Sequence, residues 1–450
     1  MSHYKPYPVY KDSGVEWLGR VPEHWQIKQL KYLASHIGSG KTPSGGAEVY
    51  LDAGVLFLRS QNVYEDGLRL DDAAFISDQV DEEMKGSRVK PCDVLLNITG
   101  ASIGRSCRVP EKFERANVNQ HVCIIRSQEP VVSIWVSLCL PSKVVQAQID
   151  FSQNGAGREG LNFEQIGNMF VALPPTEEVD EIASNLDRET VRIDALIKKK
   201  TRFIELLHEK RQALITHAVT KGLDPKAKMK DSGVEWLGEV PAHWEQALLK
   251  RLISSIGQGW SPECEARKPE RGEWGVVKVG CVNGGVFRPQ ESKALPAAME
   301  PRPELGLRKG DVLVSRANTR ELVGSCAVVP QDYPHLLLCD KLYRIGCGAR
   351  VTPEFLAALI TVYGRRAVEI EANGASSSMV NIAQSVILDL LVAVPSNQEQ
   401  KSIMDRVVVE TMRIKTMLVK TERSIALLKE RRSALITAAV TGQIDLRQAV

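Results

Sequence analysis

The sequence predicts an α+β fold: two globular mixed α/β segments separated by two long antiparallel coiled-coil helices, as a pseudo-twofold tandem repeat. Three observations predict it. Two long helical stretches repeat without a gap, a shorter block repeats ahead of each globular segment, and the globular segments themselves contain β-rich runs. The expected boundaries are 1–172 for the first block and globular segment, 173–224 for the first helix, 225–393 for a linker with the second block and globular segment, and 394–450 for the second helix and tail.

The helical repeat relates residues 173–224 to residues 394–445 at a constant offset of 221. Pro174 and Pro395 stand near the start of each copy, where a helix has no use for the missing N–H. Apolar residues then recur at steps of three and four, which is the seam of a coiled coil. At about 1.5 Å per residue such a helix is too long for one compact core. A compact domain returns the chain close to its entry point, so the second helix is expected to run antiparallel to the first.

The shorter repeat relates residues 11–25 to residues 230–244, and we call each copy a clasp. Ser13 and the glutamate three residues later have capping-box spacing, which predicts a short helical turn. Trp17 and Trp25 supply an apolar face. We therefore expect each clasp to dock against the long helices.

The globular segments, 26–172 and 245–393, share scattered framework positions and differ in their loops. Short runs rich in β-branched residues alternate with turn residues, which predicts strands, and two longer apolar runs predict helices. The predicted strands lie at 55–58, 94–98, 122–125, 276–279, 312–314 and 342–345, and the predicted helices at 131–140 and 354–363.

Composition excludes several classes of protein. The first ten residues do not resemble a signal peptide, and no run of about 18–20 apolar residues is long enough for a membrane span. The nine cysteines are scattered without a Cys-x-x-Cys pair, which indicates reduced thiols in a cytoplasmic protein. The net charge of +3 says little about partners.

Two glycine-rich motifs imitate nucleotide-binding loops. Residues 40–42 read Gly-Lys-Thr, but a P-loop needs glycine at Ser35 and a helix where Pro43 stands. Residues 155–160 fit Gly-x-Gly-x-x-Gly without the βαβ unit of a dinucleotide site. Neither motif is kept in its repeat partner. No metal-spaced cluster and no nucleophile–base pair is evident, which favours a protein that recognises a ligand over one that catalyses a reaction.

The two Asp-Ser-Gly-Val-Glu-Trp-Leu-Gly blocks, the Gly-x-Gly-x-[Thr/Ser]-Pro loops at 38–43 and 257–262, and the paired helices ending Leu-Ile-Thr-x-Ala-Val-Thr closely resemble one family. It is the DNA-specificity (S) subunit of type I restriction-modification systems. The resemblance covers essentially the whole chain. It implies that each globular segment is a target-recognition domain reading one half of a bipartite, asymmetric site in double-stranded DNA. The helices would be spacer regions that set the spacing of the half-sites and bind two methyltransferase (modification) subunits, with restriction (motor/nuclease) subunits joining the complex.

The same resemblance implies a non-catalytic chain that binds no cofactor itself. S-adenosylmethionine, ATP and Mg would be used through the other subunits. The family's methyltransferase signature, Asn-Pro-Pro-[Phe/Tyr], is absent from this sequence. Two alternatives stay open: a fused enzyme whose active site is not evident, and a two-headed protein-binding scaffold without a DNA role.

Base reading needs Arg, Lys, Asn, Gln, Ser and Thr on positioned loops. The candidate DNA-binding residues are Lys41, Thr42, Arg59, Gln61, Asn62, Asn97, Thr99, Arg105, Asn119, Gln120 and Arg158 in the first segment, and Gln258, Lys278, Arg316, Asn318, Arg320, Lys341, Ser376, Ser377 and Asn381 in the second.

Apolar residues of the long helices occupy too wide an arc for one helix–helix seam. Together with a clasp tryptophan from each repeat, they are candidates for partner binding: Trp17, Trp236, Leu206, Leu207, Leu214, Ile215, Leu427, Leu428, Leu435 and Ile436.

Overall fold

A computed structural model describes residues 4–153, 160–234, 237–364 and 380–448. The chain divides into two compact units. The first unit holds residues 1–202 and 421–450, and the second holds residues 203–420. Both long helices pass through this division, so each unit contains one globular segment and one part of each helix. The predicted combination of mixed α/β segments with long helices is confirmed.

The first globular segment is built on two four-stranded sheets. One sheet is antiparallel throughout, and the other contains one parallel pair, Val55–Leu58 beside Ala116–Val118. The antiparallel sheet has the order Ser106–Arg108, Val94–Asn97, Val122–Ser127, Ala34–Ser39, and the mixed sheet Ala74–Ile76, Val55–Leu58, Ala116–Val118, Arg88–Val89. The remaining strands of the first unit form two-stranded pairs: Tyr10–Asp12 with Arg20–Pro22, Gln26–Gln29 with Phe170–Leu173, and Val63–Tyr64 with Gly67–Leu68. The shorter helices are Asp78–Glu83, Pro130–Cys139, Lys143–Gln153 and Phe163–Gly167.

The second globular segment repeats this plan, again with one parallel pair, Gly275–Val277 beside Tyr333–Leu337. The antiparallel sheet has the order Ile253–Gln258, Leu342–Cys347, Val312–Ser315, Cys326–Val328, and the mixed sheet Ser292–Ala294, Gly275–Val277, Tyr333–Leu337, Gly306–Leu307. The two-stranded pairs are Met229–Asp231 with Glu239–Pro241, Glu245–Leu248 with Leu391–Val394, and Ala317–Asn318 with Val380–Asn381. The shorter helices are Pro353–Leu359, continued by a π-helical turn Ile360–Gly364, and Gln384–Leu388.

The long helices are Thr176–Lys221 and Asn397–Val440. Each begins three residues later than the sequence predicts, because the residue of the predicted start still belongs to a strand, Phe170–Leu173 or Leu391–Val394. Within the first unit the two helix parts run antiparallel. Arg432 Nε lies 3.0 Å from Asp194 Oδ1, and Asn185 Nδ2 donates to the Leu446 carbonyl at 3.0 Å.

The helix parts in the second unit are antiparallel as well. Ala218, near the end of the first long helix, belongs to the same core cluster as Ile403 and Val407, near the start of the second. In each unit the apolar seam of the helices merges with the core of the globular segment. The seam therefore stabilises each globular segment as well as the helix pair.

Each clasp is a β-hairpin, and the short helical turn predicted after Ser13 lies in its loop, where Gly19 N donates to the Val15 carbonyl at 3.1 Å. Strand Tyr10–Asp12 pairs with Arg20–Pro22, and the turn is closed by side chains at its first corner. Asp12 Oδ1 accepts from Gly14 N at 2.8 Å, and Ser13 Oγ accepts from Val15 N at 3.1 Å. These local side-chain bonds fix the corner of the loop ahead of the helical turn. The second clasp closes in the same way with Asp231 and Ser232.

A histidine and a tryptophan at the end of each clasp bind one glutamate in the first turn of a long helix. In the first unit Glu178 accepts from Trp25 Nε1 at 3.3 Å and contacts His24 Nε2 at 2.8 Å. Arg447 adds an ion pair to Glu178 at 2.7 Å. The predicted docking of the clasp against the helix therefore rests on a carboxylate that satisfies a buried indole.

The second unit repeats this junction with fewer partners. Glu399 accepts from Trp244 Nε1 at 3.1 Å and contacts His243 Nε2 at 3.0 Å. The Glu399 side chain is 32% exposed, whereas that of Glu178 is 14% exposed. The two junctions thus provide a matched pair for experiment.

We expect Glu178→Ala to destabilise the first unit by about 2–3 kcal/mol, because it leaves a buried indole N–H without an acceptor and removes a charge-assisted partner of Arg447. Glu399→Ala is the matched control and should cost the second unit less, since its carboxylate is more exposed and has no counterpart of Arg447 among its described contacts. Hydrogen exchange on the full chain, read separately for each unit, makes the comparison. Equal losses in both units would contradict the assigned role of Arg447.

Among the described residues, no single helix is long and apolar enough to cross a membrane. The helices Pro130–Cys139 and Lys143–Gln153 reach the required length and composition only as a pair, and a 70° bend separates them. Trp135, Val136 and Cys139 of this pair are buried in the core of the first unit.

Candidate functional site

A polar groove of about 590 Å³ opens in the first unit where strands of both sheets end. Three of its walls follow or precede a buried strand: a turn after Val55–Leu58, a turn after Val94–Asn97, and the residue before Val122–Ser127. The residues that line it are Ser60, Gln61, Thr99, Gly100, Ala101, Ser102, Arg105 and His121. Strand ends hold such side chains in fixed positions, which suits a recognition site.

The groove is held together by Asn97, whose side chain is fully buried. Its Nδ2 donates to the Ser60 carbonyl at 2.8 Å and to Ser102 Oγ at 3.1 Å. One amide therefore links the turns that follow two different strands. Asn62 plays a similar part, because its Oδ1 accepts from Arg59 N and its Nδ2 donates to the Arg69 carbonyl. Asn62 and Asn97, both candidate DNA-binding residues from the sequence, thus support the groove from beneath.

Arg105 brings a guanidinium to the groove. Its Nη2 donates to the Ser60 carbonyl at 3.3 Å, and its guanidinium lies 4.5 Å from the centre of the Tyr64 ring. A guanidinium is attracted to the face of an aromatic ring, and the other N–H groups of Arg105 remain available to an acceptor.

A row of hydrogen-bonded side chains, formed by Thr99, His121 and Gln120, lies beside the Arg105 guanidinium. Thr99 Oγ1 lies 2.5 Å from His121 Nδ1, and Gln120 Nε2 lies 2.9 Å from His121 Nε2. Asn119 fixes the start of this row, since its Oδ1 accepts from His121 N at 3.0 Å. Guanidinium, amide, hydroxyl and imidazole groups on one surface can donate to and accept from a polar ligand.

Several polar atoms at this end of the first segment are buried without a protein partner. Within the described ranges they include Nε of Arg59, Nε of Arg105 and Oδ1 of Asn97. Buried polar groups are almost always hydrogen-bonded, to protein or to other molecules. Their presence favours a polar ligand or ordered water at this place over an apolar one.

The glycine-rich loop at residues 38–43 needs glycine because neighbouring backbone leaves no room for a side chain. A Cβ on Gly40 would meet the Val118 carbonyl oxygen at 1.5 Å, and Gly40 N donates to the Asn119 carbonyl. The matching Gly259 would meet the Leu338 carbonyl oxygen at 2.1 Å. The glycines therefore allow a close approach of two protein segments rather than of a phosphate. Lys41 and Thr42, which follow Gly40, are exposed.

The second unit builds the same framework from the corresponding backbone atoms. In the first unit Asn97 N donates to the Arg105 carbonyl and Ile98 N to the His121 carbonyl. In the second unit Ser315 N donates to the Ser325 carbonyl and Arg316 N to the Lys341 carbonyl. These four bonds place Ser315, Arg316, Ser325 and Lys341 where the first unit has Asn97, Ile98, Arg105 and His121.

The side chains on this shared framework differ. The guanidinium of the second unit comes from Arg316, whose counterpart is the apolar Ile98, while serine replaces Arg105. Arg316 Nη1 donates to the Asp340 carbonyl at 3.3 Å and its guanidinium lies 5.8 Å from the Tyr343 ring. Lys341, in the place of His121, is exposed. The two units thus present different donors and acceptors from equivalent positions.

The other predicted polar residues are spread around these strand ends. Arg59 donates to the Asp72 carbonyl at 2.7 Å, Lys278 pairs with Glu291 at 3.3 Å, and Asn318 is buried beside Asn283. Gln258, Arg320 and Asn381 are exposed. Arg158, Ser376 and Ser377 lie outside the described residues. The sequence prediction did not include Ser60, Ser102 and His121, which also line the groove. The position of His121 directly after Asn119 and Gln120 was the available signal.

The candidate partner-binding residues divide by exposure. Leu206 and Leu427 are exposed, at 44% and 56%, and Trp17 is 36% exposed against Phe151. Leu207, Leu435 and Ile436 are buried by this chain itself, while Leu214, Ile215 and Leu428 are half-buried. Trp236 lies outside the described residues.

No group of three or more potential metal ligands occurs among the residues that the structure describes. The nine cysteines are free thiols. Burial raises the pKa of Cys123 to about 12, and burial likewise raises that of Cys107 to about 12. Thiols with such pKa values are poor nucleophiles and poor metal ligands at neutral pH.

Comparison with known proteins gives one consistent answer. The chain is 22% identical over 394 residues to a putative type I restriction enzyme MjaX specificity subunit of Methanocaldococcus jannaschii, covering 86% of this chain and 87% of that protein. Its relatives are specificity subunits of type I restriction enzymes. The EcoEI and EcoBI specificity subunits of Escherichia coli match at 29% and 26% identity over 38% and 37% of this chain, and over only 29% and 35% of their own lengths. No family model matches the chain.

Solved structures share the fold of this chain as well. A chain from a structure on complex assembly and conformational transition of the type I R-M system superposes with a TM-score of 0.70, at 14% identity, over 94% of this chain and 99% of that one. The HsdS subunit from Thermoanaerobacter tengcongensis superposes with a TM-score of 0.52, at 16% identity, over 94% and 98%. The resemblance to the specificity-subunit family seen in the repeated motifs is thereby confirmed.

Proposed function

We propose that this chain is the DNA-specificity subunit of a type I restriction-modification enzyme, and that each globular segment reads one half of a bipartite, asymmetric site in double-stranded DNA. The observation that carries the proposal is the pair of equivalent strand-end frameworks with different polar side chains. A shared framework would hold both segments against DNA in the same way, while different donors and acceptors would select different bases.

The proposal assigns the remaining roles by the same resemblance. The long helices set the spacing of the half-sites and bind two methyltransferase subunits, and restriction subunits join the assembly. Methylation with S-adenosylmethionine and ATP-dependent cleavage with Mg belong to those subunits, and this chain binds no cofactor.

Exposed apolar residues on the long helices support the assignment of partners. In the second unit Val408, Val409, Met412 and Val419 of the second helix are all between 47% and 60% exposed. Exposed apolar patches are typical of protein–protein interaction sites. Leu206, in the same unit, adds to them.

Exchange of one globular segment tests whether each segment recognises one half-site. We expect that replacing residues 26–172 by the matching segment of a relative changes one half-site and leaves the other intact. The junctions are favourable because Gln26–Gln29 and Phe170–Leu173, at the two ends of the segment, pair with each other in one small sheet. Methylation mapping in cells carrying the complete system would identify both half-sites.

The matched control is exchange of residues 245–393, whose ends pair in the same way through Glu245–Leu248 and Leu391–Val394. It should change the other half-site only. Two half-sites that change together, or neither, would contradict the proposal. Tight partner binding with no preference for duplex DNA would favour the protein-binding scaffold instead.

A further inference from the structure

An arginine interrupts the apolar seam of the second long helix in the first unit. Arg432 stands four residues after Leu428 and three before Leu435, which places all three on one face of the helix. Leu435 is buried in the core of the first unit, and Leu428 packs against that core. A polar residue in such a seam costs stability, and it can fix how neighbouring elements pack. The contacts of Arg432 show which elements it joins.

Arg432 lies between two carboxylates from different elements. Its Nε lies 3.0 Å from Asp194 Oδ1 of the first long helix, and its Nη1 lies 3.6 Å from Glu65 Oε2 of the globular segment. The Arg432 side chain is 20% exposed, whereas those of Asp194 and Glu65 are 46% and 53% exposed. One guanidinium, whose N–H groups point in fixed and different directions, thus joins both long helices to the turn that contains Glu65.

The turn that contains Glu65 belongs to a hairpin beside the groove of the first unit. The hairpin pairs Val63–Tyr64 with Gly67–Leu68, and Glu65 follows Tyr64 directly. The centre of the Tyr64 ring lies 4.5 Å from the guanidinium of Arg105, which lines the groove. A series of contacts therefore leads from the seam of the long helices to the guanidinium at the groove.

A second series of contacts connects the same helix to the same arginine. Lys143 N, at the start of the helix Lys143–Gln153, donates to Thr437 Oγ1 at 3.0 Å. From that helix Gln146 Nε2 donates to the Gly104 carbonyl at 3.0 Å. Gly104 directly precedes Arg105, and Thr437 lies five residues after Arg432. The last turns of the second long helix therefore support Arg105 from two sides.

The second unit keeps the seam arginine without its acidic partner on the other helix. At the offset of 221, Arg432 corresponds to Arg211 (432 − 221 = 211), which is likewise half-buried. Asp194 corresponds to Lys415 (194 + 221 = 415), and a lysine repels an arginine where an aspartate attracts it. Arg211 therefore provides a matched control for Arg432.

We propose that Arg432 is a positioning residue for DNA recognition by the first unit. It does not line the groove. It acts through Glu65 and Tyr64 on the guanidinium of Arg105, because contiguous contacts of this kind can couple residues that do not touch. The inference rests on the proposed function and adds that a spacer-helix residue contributes to the reading of one half-site.

Arg432→Leu separates this role from a role in stability. Leucine continues the seam of Leu428 and Leu435, and an apolar replacement of a partly buried ion pair is often neutral or stabilising. We expect the variant to melt no lower than wild type, yet to bind the first half-site about three- to tenfold more weakly, which is typical of residues coupled in one contact network. Binding of the complete complex to duplexes with one altered half-site at a time, at fixed salt, measures the loss.

A double-mutant cycle tests the path to the groove. If Arg432 acts through Arg105, Arg432→Leu should cause no further loss of half-site recognition when Arg105→Ala is already present. Glu65→Gln leaves the seam and the Asp194 pair intact and should reproduce the loss. Arg211→Leu makes the same seam change in the second unit and should alter recognition of neither half-site.

Additive losses in the cycle, or equal losses at both half-sites, would overturn the proposal. So would unchanged recognition by both Arg432→Leu and Glu65→Gln in a complex where Arg105→Ala has its expected effect, and the proposed function would then still stand. A wild-type complex that prefers neither half-site would instead contradict the proposed function itself.

Discussion

Replacing Arg105 by alanine is expected to weaken recognition of one DNA half-site by about 10- to 100-fold and to leave the other half-site unchanged. Arg105 supplies the guanidinium of the groove in the first unit, and its stacking on Tyr64 keeps that group in place. Loss of a guanidinium contact to a base typically costs about 1–3 kcal/mol, which corresponds to this range. Binding to duplexes that carry one altered half-site at a time, with the complete complex at fixed salt, measures the effect.

Arg69→Ala is the matched control for this experiment. Arg69 stacks on the same Tyr64 ring, at 3.6 Å, but pairs with the exposed Asp66 and does not line the groove. It should change affinity by less than about threefold, since exposed ion pairs contribute little. Arg105→Lys keeps the positive charge but removes the guanidinium. Its effect therefore shows whether recognition depends on the charge alone or on the geometry of the guanidinium. An equal loss at both half-sites would mean that Arg105 contributes only to non-specific attraction.

The repeats carried most of what the sequence could predict about the fold. The seam of the long helices, the docking of each clasp and the positions of the central strands all follow from patterns that span a few neighbouring residues. Val55–Leu58 and Val312–Ser315 lie where β-branched runs predict them. Such local signals survive folding because burial of one helix or strand face determines them.

The groove depends on long-range pairing, so the sequence alone did not define it. Ser60, Arg105 and His121 come together only because strands from two sheets end at one place. The clasp shows a local signal that the structure meets only in part. Ser13 and Glu16 have capping-box spacing, and a helical turn does follow, with Gly19 N donating to the Val15 carbonyl. Ser13 Oγ, however, accepts from Val15 N, because Gly14, at φ +68°, turns the chain before the helical turn begins. Asn97 was a candidate for DNA contact, yet its side chain is buried and supports the groove. The sequence alone does not distinguish an exposed amide from a buried one.

Removing the carboxylate of Asp81 is expected to destabilise the first unit by roughly 3–5 kcal/mol, the usual cost of breaking a buried ion pair from one side. Asp81 is fully buried. It accepts from Arg88 Nε at 2.7 Å, from Arg115 Nε at 2.8 Å and from Asn117 Nδ2 at 3.0 Å. Asn117 belongs to the strand Ala116–Val118, which leads directly into the Asn119–His121 side of the groove. Asp81→Ala should therefore also weaken DNA recognition by the first unit, although it touches no ligand.

The effect of Asp81 is also expected to depend on pH. Burial by itself would raise the pKa of Asp81, but the hydrogen bonds from Arg88, Asn117 and Arg115 outweigh it and hold the pKa below its usual value. A carboxyl whose folded pKa is lowered contributes stability above its unfolded pKa of about 4, and that contribution is lost as the pH falls through the folded value. The difference in unfolding free energy between wild type and Asp81→Asn should thus be constant near neutral pH and shrink in acid.

Asp78→Asn is the control for both measurements. Asp78 pairs with the same Arg115 at 2.8 Å, but its side chain is 84% exposed. An exposed pair is worth about 0–1 kcal/mol, so this variant should stay close to wild type. Hydrogen exchange on the full chain would show whether protection is lost in the first unit alone, as expected for a carboxylate whose hydrogen-bond partners all lie there. If Asp78→Asn and Asp81→Asn lowered stability equally, burial would not be what gives the Asp81 network its strength.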